Sequence, residues 1–151
     1  MVFPIATQEK CAILQQYETQ MARYPLIKAE VEAFLQDKTD DLSLGLQYLY
    51  GHMAAQDVLS TPVAVFAGYV VAALQALERI DYVKSIPAEV FFPYVLYPRV
   101  NSEYLDGSRT LLLTELLPHV QGKAMEQAAL SVNYWCYAHA TYTPADDRTL
   151  G

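Results

Sequence analysis

The sequence predicts an all-α protein, a bundle of six or seven helices with an irregular, aromatic-rich loop. Apolar residues recur every three or four positions along most of the chain, which is the period of a helix with one buried face. Prolines and hydroxyl residues stand where these patterns begin. The 151 residues are 53% hydrophobic and 18% charged, which is enough apolar material for one core of ordinary domain size.

The first three helices are predicted at residues 7–23, 25–36 and 42–55. The first has its apolar residues at helical spacing: Ile13, Leu14, Tyr17 and Met21. Pro25 suits the first position of the second helix because its missing N–H would have had no intrahelical partner.

The most apolar segment, residues 62–77, is expected to lie at the centre of the bundle. Its start is indicated by a hydroxyl cap followed by proline, Ser60-Thr61-Pro62. It is shorter than the roughly 20 residues that a bilayer requires, and it contains Gln75. The residues expected to be buried are Phe66, Tyr69, Val70, Ala73, Leu74 and Leu77. Gly68 is expected to let a neighbouring helix approach closely.

The second half has more proline and more aromatic residues. A short helix is predicted from Pro87, with a kink at Pro93, followed by an irregular segment at 97–107. A helix at 108–117 is expected to stop before Pro118. The last helix, 122–140, has one predicted inward face, formed by Met125, Ala128, Ala129, Val132, Trp135, Cys136 and His139. An extended segment is expected from Thr141 onward.

Composition also excludes some classes of function. The net charge is −7 and the ten basic residues are scattered, which argues against nucleic acid or an anionic membrane as a partner. Two cysteines far apart in the chain, without a CxxC pair, are typical of a reducing compartment. The N-terminus lacks the pattern of a signal peptide. We therefore expect a cytoplasmic protein without a metal or cofactor.

Three segments resemble the N-terminal half of bacterial transglutaminase-like proteins, which are related to papain-like cysteine enzymes. They are LQYLYGHMAAQD at 46–57, KSIPAEVFFPYVLYPRVNSEYLD at 84–106 and VNYWCYAHATYTPADDRT at 132–149. The middle segment is the most specific, since relatives have a VLPYRxNxE stretch. Here the order of tyrosine and proline is reversed, while Arg99, Asn101 and Glu103 keep their spacing.

The resemblance implies a helical domain at residues 1–121, followed at 122–151 by the first helix and exit strand of a transglutaminase-like core. In that family the nucleophilic cysteine comes further along the chain, with its histidine and aspartate later still. This chain is then expected to end before the catalytic cysteine and to be inactive alone. Its partner would be the C-terminal catalytic domain, which would perform acyl transfer or amide hydrolysis through a thioester.

No catalytic or metal-binding residue is predicted in the chain itself. Arg99, Asn101 and Glu103 form a polar cluster, interpreted as a contact with the catalytic domain or with substrate. Trp135 is the candidate contact on the last helix. Cys136 and His139 lie one turn apart and are interpreted as a core thiol and a helix-end histidine.

Two adjacent carboxylates in the tail, Asp146 and Asp147, are too few for a metal site, because a bound cation would need further ligands. We expect them to be solvated tail residues.

A different class of function fits the same residues: a stand-alone helical module that binds a protein partner through tyrosine-rich surfaces around Trp135. The last helix discriminates between the two. Packing inside the bundle would favour the module, and exposure of Trp135 and its neighbours as an apolar patch would favour the enzyme portion. Such a patch would also be expected to form a homodimer.

Overall fold

The computed structural model describes residues 3, 5–98 and 105–140 of the chain. In these residues there are eight α-helices: α1 Thr7–Met21, α2 Pro25–Leu35, α3 Asp40–His52, α4 Ala55–Ser60, α5 Val63–Arg79, α6 Ala88–Val90, α7 Ser108–Val120 and α8 Met125–His139. A 3₁₀ turn follows α5 at Asp81–Ser85, and a π-helix at Phe91–Leu96 continues α6.

The predicted all-α class is confirmed, and the described residues contain no strand. The additional helix is α4, which the sequence pattern did not indicate. Residues 97–98 and 105–106 are non-helical, as predicted for the irregular loop, and the centre of that loop, 99–104, lies outside the described residues. The predicted extended segment from Thr141 also lies outside them.

Helix α5 lies at the centre of the bundle, as its composition predicted. It packs against α3, α7 and the π-helix. Of its six expected core residues only Leu74 is half-buried, and the others are buried. No helix within the described ranges is long and apolar enough to cross a membrane.

Helices α1 and α3 form the most extensive helix pair, and two glutamines of α1 bind the end of α3. The Gln16 side chain donates to the carbonyl of Gly51 at 3.0 Å. The Gln20 side chain donates to the carbonyls of Tyr50 at 3.1 Å and Met53 at 2.6 Å. The last carbonyls of a helix have no intrahelical partner, so these bonds satisfy groups that would otherwise require water.

Two glycines of α3 allow close packing. A Cβ atom on Gly45 would lie 2.4 Å from Cγ1 of Val70 on α5, and one on Gly51 would lie 3.1 Å from the backbone nitrogen of Tyr17 on α1. Gly68 was the glycine predicted to admit a neighbour. It does face Thr110 of α7, but its Cβ would be 3.7 Å from that hydroxyl, an ordinary van der Waals distance.

An aromatic cluster joins the N-terminus to the π-helix. The ring of Phe3 lies 5.5 Å from that of Phe91 and 5.3 Å from that of Phe92, and all three are buried. The backbone N–H of Tyr97 donates to the carbonyl of Phe92 at 3.1 Å, a bond spanning five residues. Pro93 lies inside this wider turn, so the predicted kink takes the form of a π-helix.

Some helix ends differ from the prediction. Pro25 is the first residue of α2, as expected. The Ser60 hydroxyl does not cap α5, because it donates to the carbonyl of Gln56 at 2.7 Å inside α4. Helix α7 continues through Pro118 to Val120. Pro118 and Thr114, the residue four positions earlier whose carbonyl loses its partner, are both exposed, so water can replace the missing hydrogen bond.

The buried Tyr17 is expected to make the fold less stable at alkaline pH. It is 2% exposed, and among the described residues its hydroxyl has no hydrogen-bond partner. Burial, aided by the nearby carboxylates of Glu32 and Glu18, raises the pKa of Tyr17 to about 12. In the unfolded chain a tyrosine ionises near pH 10. The contribution of the Tyr17 hydroxyl to the free energy of unfolding is therefore complete below pH 10. It is lost between about pH 10 and 12, at up to about 1.4 kcal/mol per pH unit.

Replacing Tyr17 with phenylalanine tests this account. Tyr17→Phe is expected to be neutral or stabilising at pH 7, because it removes an unpaired buried hydroxyl. It should also reduce the alkaline loss, though not abolish it, since burial raises the pKa of Tyr50 as well. Urea unfolding at pH 8, 10 and 11 measures both effects. An equal alkaline loss in the two proteins would contradict the assignment.

Candidate functional site

Most of the predicted site lies outside the described residues. Arg99, Asn101 and Glu103 fall in 99–104, and Asp146 and Asp147 fall in the tail beyond residue 140. Their predicted roles stay predictions. The part of the site that the structure describes is on α8.

Trp135 is half-buried on α8 and stacks on its neighbour one turn later. The ring centroids of Trp135 and His139 are 4.4 Å apart with an interplanar angle of 12°. Nδ1 of His139 lies 2.8 Å from the carbonyl oxygen of Trp135, so this nitrogen carries the proton and donates. The indole face is therefore covered by a residue of its own helix.

Cys136 and His139 do not form a nucleophile pair. Cys136 is a free, exposed thiol, so the expectation of a core thiol was wrong. The imidazole of His139 lies against Trp135, and no hydrogen bond joins it to Cys136 in the described part of the chain. A catalytic thiol needs a base within hydrogen-bond reach and a group that orients the base.

Helix α8 lies at the edge of the bundle and packs mainly against α7. Ala128 is its one buried side chain, and Ser131, Val132 and Trp135 are half-buried on the same side. The predicted inward face was too wide, because Met125, Ala129, Cys136 and His139 are all exposed. One neighbouring helix covers only a narrow strip of another, so the rest of α8 faces away from the bundle.

The uncovered side of α8 carries large apolar and aromatic residues. Leu130 is 59% exposed, Tyr134 71% and Tyr137 88%. These three residues, spaced four and three apart, form one face of the helix, opposite the side that packs against α7. We call them the outer stripe. Glu126 and His139 are the only residues of α8 of the aspartate, glutamate, lysine, arginine and histidine types, so most of this surface is uncharged at neutral pH.

Exposed clusters of large apolar residues on monomeric proteins often mark interaction sites. Tyrosines with an apolar body and a polar tip are favoured at protein–protein contacts. The outer stripe is therefore a candidate contact surface.

Sequence reasoning missed Arg109, which holds α7 to the π-helix. Its guanidinium donates to the carbonyls of Leu96, at 2.8 Å, and Val95, and lies 5.7 Å from the ring centre of Tyr69. The hydroxyl of Tyr69 donates to the carbonyl of Asp106 at 2.7 Å. Burial lowers the pKa of Arg109, which nevertheless stays charged at neutral pH. In the sequence, this role was indicated only by the position of Arg109, a single arginine at the start of an apolar helix.

The described residues contain no group of three or more histidine, cysteine, aspartate or glutamate side chains that could hold a metal ion. Comparison with known proteins adds no identity: no family model, no curated protein and no solved structure matches this chain.

Proposed function

We propose that this chain is the non-catalytic, helical N-terminal portion of a transglutaminase-like cysteine enzyme, and that the catalytic domain docks on the outer stripe of α8. The observation that carries the proposal is the position of α8 at the edge of the bundle, with Leu130, Tyr134 and Tyr137 exposed. The same helix contains residues 132–139, the first part of the third segment that resembles the family. The hypothesis of an enzyme portion expected Trp135 and its neighbours to be exposed. Tyr134 and Tyr137 are exposed, and Trp135 is half-buried.

In the complete enzyme the reaction would be carried by groups outside this chain. A thiolate attacks an amide carbonyl, the amine leaves with a proton, and the thioester then passes its acyl group to a second amine or to water. The helical portion would hold the first helix of the core in place and shape one side of the cleft. Preorganisation of this kind is a role for residues that do not touch the reacting atoms.

The first test reads the native coding sequence beyond Gly151 and measures the intact mass of the native product. We expect a longer product in which a cysteine stands at the start of a helix after a glycine-rich turn, with a histidine and an aspartate further along. A native product that ends at Gly151 would contradict the enzyme proposal.

The outer stripe itself is tested in the 151-residue protein. Without a catalytic domain to cover it, this surface is expected to associate with a second copy, giving a concentration-dependent dimer in light scattering. Tyr134→Ser combined with Tyr137→Ser should weaken dimerisation by at least tenfold, since buried tyrosines at an interface typically contribute more than about 1 kcal/mol each. The matched control is Leu26→Ser, because Leu26 is 86% exposed on α2, away from the stripe.

The Leu26 variant should dimerise like the parent protein. A strict monomer at all concentrations, or equal loss in the control, would show that the stripe is not an association surface.

A second candidate, a stand-alone protein-interaction module, is favoured by the composition of the core. Among the described residues, the buried core consists of Phe3, residues of α1 to α5, Met53 between α3 and α4, residues of the segments between α5 and α7, and of α7 itself, and Ala128 is the only buried residue that α8 contributes. The bundle can therefore be stable while α8 binds a separate protein. The coding-sequence test distinguishes the two candidates, because only the enzyme proposal requires a downstream cysteine.

A further inference from the structure

An open groove lies between α1 and the segment formed by α6 and the π-helix, away from α8. Its floor is apolar and is formed by Ile13, Tyr48 and Phe92. Ala12 and Pro93 line its sides. The volume of about 330 Å³ is enough for one or two side chains of a guest.

The charge of the groove has one sign. Glu9 of α1 and Glu89 of α6 line it, and none of the described residues that line it is basic. Both glutamates are exposed. Glu9 accepts a hydrogen bond from the backbone of Ala6 through Oε2 at 2.9 Å, which leaves its second oxygen available. An apolar floor between two carboxylates is complementary to a guest that is apolar and positively charged.

We propose that this groove binds a polypeptide segment of a partner protein that places an apolar side chain on Tyr48 and Phe92 and a lysine or arginine beside Glu9 and Glu89. The open shape favours a polypeptide over a small molecule, because small-molecule sites usually enclose most of the ligand's surface. A segment lying across an open groove needs to bury only one or two side chains. The guest differs from that of the outer stripe, which is nearly uncharged.

The test measures fluorescence anisotropy of a fluorescein-labelled peptide, Gly-Lys-Leu-Phe-Lys-amide, against the folded protein at low salt. The matched control peptide has glutamate in place of both lysines. We expect saturable binding of the basic peptide, weakened by added salt because exposed charges are screened. The acidic peptide should bind at least threefold more weakly.

Two protein variants locate the binding. Glu89→Lys should weaken the basic peptide by roughly two- to fivefold, the effect of an exposed ion pair. Ala12→Trp should fill the groove and weaken binding more than tenfold. Gln15→Trp is its control, since Gln15 is exposed on the same helix but does not line the groove. Circular dichroism confirms that each variant is folded.

Three outcomes overturn the proposal. They are no saturable binding below about 1 mM peptide, equal binding of the two peptides, and unchanged binding by Ala12→Trp. Self-association of the protein that Glu89→Lys abolishes would also overturn it, because the occupant would then be a second copy. None of these results depends on the outer stripe, so this proposal and the proposed function can fail separately.

Discussion

Replacement of Phe66 by alanine is expected to lower the free energy of unfolding by about 3–5 kcal/mol. Phe66 is fully buried on α5, and its ring makes edge-to-face contacts with Tyr50 at 4.9 Å and Tyr69 at 6.4 Å. Alanine would remove the whole ring and leave a cavity between α3 and α5. Because small domains have only about 5–15 kcal/mol of stability, this loss would be a large share of the total.

Urea unfolding monitored by circular dichroism measures the effect. Phe66→Leu fills most of the cavity and should cost clearly less than the alanine variant. Tyr94→Ala is the control for aromatic removal at the surface, since Tyr94 is 78% exposed, and it should change stability by no more than about 0.5 kcal/mol. Similar losses for Phe66→Ala and Tyr94→Ala would show that α5 is not the centre of the core.

Gly45→Ala is expected to destabilise the protein by about 1–3 kcal/mol, although alanine is the better helix former by about 1 kcal/mol. The added methyl would lie 2.4 Å from Cγ1 of Val70, so α3 and α5 would have to separate. Gly45 and Val70 are both buried. The methyl groups of Val70 are attached directly to its Cβ, so they cannot move aside as the end of a long side chain could.

Two further variants isolate the cause. Gly68→Ala adds the same methyl group to α5 with 3.7 Å of clearance, so it should be neutral or stabilising. Combining Gly45→Ala with Val70→Ala should cost less than the sum of the two single variants, because Val70→Ala removes the methyl groups that clash. Thermal or urea unfolding gives the four values of this cycle. Additive losses would mean that the clash is relieved elsewhere.

Helical periodicity was sufficient for the class and for most helices. Residues 7–23 and 25–36 correspond closely to α1 and α2, and the apolar run at 62–77 is the central helix α5. These features depend on local spacing and on one proline, Pro25, so they can be predicted from a short window of sequence.

Features that depend on distant residues were not predicted. The glutamine contacts of α1 with the end of α3, and the bond from Arg109 to Val95 and Leu96, join residues far apart in the chain. Pro118 was expected to end α7, but helix-ending rules describe the local preference and not the packing that extends α7 to Val120.

The candidate site was only partly predictable for the same reason. Both sides of α8 are apolar, and periodicity cannot tell which side a neighbouring helix will cover. The predicted face contains Ala128 and Trp135, which do pack inward, but the more exposed residues are Tyr134 and Tyr137. The face that remains free is decided by the position of α7.

The limited attachment of α8 has a consequence for the energetics of recognition. With one fully buried side chain, this helix can separate from α7 while the core around α5 stays intact. Such local opening requires far less free energy than global unfolding, so we expect α8 to be undocked in a fraction of the molecules. A partner that binds only the docked arrangement must supply that difference. Its apparent affinity will then rise with any substitution that strengthens the contact between α7 and α8, even one that never touches the partner.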